Sequence, residues 1–134
     1  MRPVIICLLT LLLAGCSTLL ENTEVAQFNN NTYKIKVTEY DEGLHRVSEV
    51  SINDELAAYF KPISIVQKKE KRCVFSKGYD PMVATCTFFG TYKDIEVKVV
   101  KVHKTSLAIT VNYEIYFNDK LVEVVNLQNE TAFN

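Results

Sequence analysis

Tryptophan is absent from this chain, and glycine, proline and histidine are scarce, with four, three and two residues among 134. Seven Tyr and seven Phe stand where those residues do not, a composition that suits strands around an aromatic core. Neither sign of charge dominates: 15 Lys and Arg face 16 Asp and Glu. That balance argues against a nucleic-acid surface, which carries a strong basic excess. No G-x-S-x-G, H-E-x-x-H, P-loop or dinucleotide fingerprint occurs. His45 and His103 both fall where turns are expected, and the paired acids Asp41-Glu42 and Asp54-Glu55 have ordinary turn or cap explanations. No C-x-x-C spacing accompanies the cysteines, so no zinc site is expected. No catalytic residue, metal or cofactor is assigned, and the chain is read as a non-enzyme.

One long apolar run is present, Val4 to Leu13, and it ends in Leu13-Ala14-Gly15-Cys16. Arg2 and the amino terminus make a positive flank before it, and Ala14-Gly15 supplies small residues for a peptidase cleft. The alternative, a membrane span over Pro3 to Leu20, is barely long enough and lacks a basic flank on its far side. The four residues resemble a bacterial lipobox. That resemblance implies that residues 1–15 are a signal peptide and that Cys16 becomes the lipidated amino terminus. Several acyl chains on one residue hold a protein stably, whereas one chain binds only marginally. Ser17, rather than an Asp, follows Cys16, which favours the periplasmic leaflet of the bacterial outer membrane over the inner membrane.

The same reading settles the cysteine arithmetic. Cys7 leaves with the signal and Cys16 carries lipid, so Cys73 and Cys86 remain in an oxidising compartment and are expected to form one disulfide. If they face each other across antiparallel strands, Val74 opposes Thr85, Phe75 opposes Ala84 and Ser76 opposes Val83. Lys77-Gly78-Tyr79-Asp80-Pro81-Met82 is then the connecting loop, with Gly78 and Pro81 as turn-formers.

The 119 residues from Cys16 onward are enough for one domain and too few for two. Residues 16–32, with Asn29-Asn30-Asn31, read as a lipidated terminus and solvated tether of up to about 55 Å when extended. Residues 33–127 read as a single β-rich domain and 128–134 as a tail. Tyr33 to Tyr40 alternates apolar and polar, the mark of a half-buried strand, and Arg46 to Ile52 continues as a second. Ser51 or Asn53, Asp54, Glu55, the spacing of Leu56, Tyr59 and Phe60, and Pro62 predict a short helix. Ile63 to Gln67 reads as a short strand. Gly90 predicts a bulge or bend. The apolar phase change between Val99 and Val100 predicts another bulge, or a strand covered on both faces. Leu107 to Phe117 keeps six apolar residues in phase and is expected to centre the sheet, with a turn at Asn118-Asp119-Lys120.

The expected fold is therefore mainly β: a small antiparallel sandwich or partly open barrel of six to eight strands with one short helix. In outline the chain is similar to small periplasmic lipoproteins that act as inhibitors, immunity proteins, entry-exclusion factors or assembly accessories. That resemblance implies a lipid-anchored module that binds an envelope protein. The candidate recognition residues are the Lys77–Met82 loop and the basic run of Lys68, Lys69, Lys71 and Arg72. The second reading is a carrier of a lipid or other small apolar ligand, which needs an interior wider than its side chains fill.

Overall fold

The computed structural model describes residues 19–43, 45–61, 73–76 and 82–127. The signal-like segment, Cys16, the Ile63–Gln67 stretch, the basic run 68–72, loop residues 77–81 and the tail all lie outside the described residues. Among the described residues there are nine strands and no helix. They are β1 (Leu20–Phe28), β2 (Asn31–Glu42), β3 (His45–Ile52), β4 (Glu55–Phe60), β5 (Cys73–Phe75), β6 (Met82–Tyr92), β7 (Ile95–Thr105), β8 (Ile109–Phe117) and β9 (Lys120–Asn126).

Every strand pairs antiparallel with its neighbour in sequence, giving one sheet ordered β1-β2-β3-β4 and a second ordered β5-β6-β7-β8-β9. The mainly β sandwich expected from the sequence is what forms, with nine strands instead of six to eight. The sheets meet along both margins, β1 beside β9 and β4 beside β6. Alternate side chains of both sheets fill the space between them: Ile35, Val37, Val50 and Ile52 on one side, Phe88, Val97, Val99, Tyr113, Ile115 and Phe117 on the other. β8, expected at the centre, lies one place off it and begins at Ile109; Leu107 sits in the preceding turn.

The turns at one end explain two misreadings. Asn29 and Asn30 join β1 to β2, Asn53 and Asp54 join β3 to β4, and Asn118 and Asp119 join β8 to β9, with φ between 49° and 69° at all six. Positive φ at both central residues defines the hairpin turn whose twist matches its strands, and Asn and Asp adopt it at low cost. Asn29-Asn30 is thus a tight turn, and the supposed tether contains strand β1, with Ala26 buried and Phe28 packed edge-on to Phe117 at 5.5 Å. Asn53 is likewise no helix cap. Its Oδ1 accepts from the Lys34 backbone at 2.9 Å, as Asn118 Oδ1 accepts from that of Glu96 at 2.9 Å.

The expected helix is strand β4. Its register against β3 slips between Val50 and Ser51, so Ala57 is an extra, bulged residue. The bulge puts Ala57, Ala58 and Phe60 inside while Leu56 and Tyr59 face solvent. A broken strand phase therefore imitates helical spacing.

Gly90 is not a bulge, for it pairs in unbroken register with Val97. Its role is to admit the opposite sheet: a Cβ there would lie 1.8 Å from the carbonyl oxygen of Ala57. β7 has no bulge either. Its inward-facing row runs Val97, Val99, Lys101 and His103, so the apparent change of phase is a lysine occupying a core position. His45 and His103 both lie in strands, not in turns.

Candidate functional site

The two ends of the sandwich differ. At the first, the four two-residue turns carry only Asn, Asp and Lys, and Tyr33, Tyr92, Phe28 and Phe117 pack edge to face just beneath them. At the second, large apolar side chains stay uncovered. Val74 and Phe75 are each 67% exposed, Leu107 is wholly exposed, and Met82 and Ile109 are about half so. Apolar atoms scattered singly over a surface are ordinary; here Phe75, Met82 and Ile109 share one face of the sheet, the face of Val111, while Val74 points to the other.

The disulfide builds part of this rim. Cys73 is bonded to Cys86, and the register pairs Val74 with Thr85 and Phe75 with Ala84. Ser76 donates its backbone N–H to Val83 O at 2.8 Å and accepts from the Val83 N–H through Oγ at 2.9 Å. The whole expected hairpin register is thus present. A three-residue edge strand has little pairing of its own, so the covalent bond is what holds Val74 and Phe75 on the sheet. Replacing both cysteines by Ala is expected to lower stability by about 3 kcal/mol, the chain-entropy value for a loop of roughly this length. Urea denaturation of the oxidised protein and the double variant measures it.

Met82, expected in the loop, is the first residue of β6. It lies level with Thr105 and, through it, with Ile109. Lys77 to Pro81 lie outside the described residues, as does the basic run of Lys68, Lys69, Lys71 and Arg72. The structure therefore places one candidate recognition residue, Met82, at the same end as four exposed apolar residues that the sequence did not suggest: Val74, Phe75, Leu107 and Ile109. Alternation marks these four as interior or strand residues, since period alone does not say which positions the opposite sheet covers.

Behind the rim lies a buried polar cluster that sequence reasoning also missed. Glu39 of β2 and Ser48 of β3 are the two buried polar side chains among the described residues. Tyr113 of β8 donates its hydroxyl to Glu39 Oε1. The Ser48 hydroxyl lies 2.8 Å from the Tyr113 oxygen and, with that proton already committed to Glu39, donates to it. Lys101 of β7 forms an ion pair with Glu39 Oε1, and Arg46 Nε approaches Oε2 at 3.7 Å while its Nη1 holds Asp41 at 3.0 Å. The Lys101 ammonium also lies 5.7 Å from the centre of the Tyr113 ring. No buried side-chain polar atom among the described residues lacks a partner. The cluster joins the two sheets by charge and hydrogen bonds at a level where the flanking positions are apolar.

Burial, reinforced by the adjacent Glu39 charge, holds the Tyr113 phenol well above its ordinary value of 10.0. The unfolded chain loses this proton near the ordinary value while the folded state keeps it. Its contribution to stability is therefore complete below that pH and is lost above it. Unfolding midpoints measured from about pH 9 upward should fall, and the fall should be shallower in Tyr113→Phe.

Comparison with known proteins finds no matching family model, no similar curated protein and no similar solved structure.

Proposed function

We propose that this protein is a lipid-anchored binding module of the bacterial envelope, which recognises another protein through the disulfide-stapled β5–β6 hairpin. Lipid on Cys16 and cleavage after Gly15 account for the Leu13–Cys16 signature, and an oxidising compartment accounts for the Cys73–Cys86 bond. The observation that carries the recognition reading is the exposure of Val74 and Phe75 on a strand fixed by a covalent bond. An aromatic side chain held at low conformational freedom is what a protein interface uses as an anchor. Lys71, Arg72 and Lys77 flank that strand in the sequence, so the fitting partner pairs an apolar recess with acidic groups. The carrier reading is less well supported, because Phe88, Tyr113, Phe117, Ile35 and Ile115 are fully buried and occupy the space between the sheets.

A photo-crosslinking residue in place of Phe75, expressed in the native host, tests this. A single protein adduct, lost when Val74→Asp is added, is the expected result. Recovery of no protein adduct from correctly localised material overturns it.

A further inference from the structure

The path of the chain into the fold brings Leu19 and Leu20 to the open end. Leu20 pairs with Glu39, so β1 starts at the end of β2 farthest from the Asn29-Asn30 turn. Asn22 donates to Asn126 O at 2.8 Å, and Asn126 in turn pairs with Asn112 of β8. Two residues beyond that level, Leu20 has reached the height of Thr110 at the same end of the sandwich as Ile109 and the Leu107 turn, with β9 between β1 and β8. Leu19 is itself more than half exposed. Cys16 precedes Leu19 by three residues and so lies within about 11 Å of it along any path.

We propose that the edge formed by Leu19, Leu107 and Ile109 seats on the lipid leaflet that holds the anchor. This rests on the lipobox reading of Cys16. Such a short link leaves the domain no room to rotate this edge far from the bilayer, and apolar side chains that dip into the headgroup boundary gain burial there. Charge at this end is mixed: Lys104, next to the turn, is exposed, Asp41 and Glu42 are paired with Arg46 and Lys61, and Glu21 of β1 is exposed. The opposite end, with its Asn and Asp turns, points away from the membrane. The Val74–Phe75 strand lies across β6 and β7 from β8, at the flank of the seat, so its protein partner belongs to the same membrane surface.

The absence of Trp makes a direct test available. Leu107→Trp, at a wholly exposed site, and Leu121→Trp, beside the Asn118-Asp119 turn, each give one reporter. The lipidated protein is placed in phosphatidylglycerol vesicles containing phospholipid brominated near the headgroup. Emission from position 107 should fall roughly two-fold while that from position 121 is unchanged. Quenching at neither position, or equally at both, in protein whose Cys16 lipid is verified by mass would overturn the seat and leave the anchor standing. Protein without lipid at Cys16 removes the anchor and the seat together. A photo-crosslinker at position 107 that captures a protein in the native envelope, rather than lipid, also contradicts the proposal.

Discussion

Glu39→Ala should lower the stability of this protein by about 3–5 kcal/mol, the usual cost of removing one partner from a buried ion pair. The side chain of Glu39 is 4% exposed and that of Lys101 is 13% exposed, so neither recovers full hydration when the other is removed. The substitution strips Lys101 of its carboxylate and leaves the Tyr113 hydroxyl without its acceptor, two losses in one cluster. The result changes if both charges go. Glu39→Leu combined with Lys101→Met should recover most of the loss, because a well-packed apolar pair can match or exceed a buried ion pair in stability. Urea midpoints for the two singles and the double variant form a cycle that isolates the pair. A double variant as unstable as the sum of the singles would mean that Arg46 and Ser48, rather than the Glu39–Lys101 pair, determine the site.

Gly90→Val should be at least as damaging. The added Cβ would meet Ala57 O at 1.8 Å, Ala57 C at 2.8 Å and Ala58 Cα at 2.9 Å, all backbone atoms that no rotamer change can move. Overpacking costs about 1–3 kcal/mol where side chains can give way, and a collision with the opposing sheet's backbone lies at or above the top of that range. Gly43→Ala is the natural comparison. Its Cβ meets nothing within 4 Å, and only its φ of 61° opposes the change, worth about 1–2 kcal/mol for one residue. Thermal melts should therefore place the Gly90 variant well below the Gly43 variant. The reverse order would show that β4 and β6 do not approach as closely as described.

How far the sequence could be read depended on whether a local pattern has one physical cause. The β8 alternation does, since a strand with one face inward repeats every two residues, and Val111, Tyr113, Ile115 and Phe117 are all buried. The cysteine pair does too, because two facing residues fix the register of their neighbours, and Val74, Phe75 and Ser76 fall opposite the residues expected. Ambiguity entered where two causes give the same string. Asn53-Asp54 followed by apolar residues fits a capped helix as well as a hairpin with a bulged second arm, and only pairing with β3 decides between them. Asn29-Asn30 was the same turn chemistry as Asn118-Asp119, obscured because a third Asn made the segment look irregular. Lys101 and Glu39 were harder still. Each interrupts an apolar row, and nothing local says that a lysine on β7 and a glutamate on β2, 62 positions away in the chain, meet between the sheets. Which positions the opposite sheet leaves uncovered is equally non-local, which is why the exposed rim could not be foreseen from its residues.

The intact mass of the protein purified from native membranes tests the central claim most directly. The account predicts a chain beginning at Cys16, heavier by its acyl and glyceryl groups and lighter by the two hydrogens of the Cys73–Cys86 bond. A chain still beginning at Met1, recovered without lipid and with all four cysteines as thiols, would contradict it.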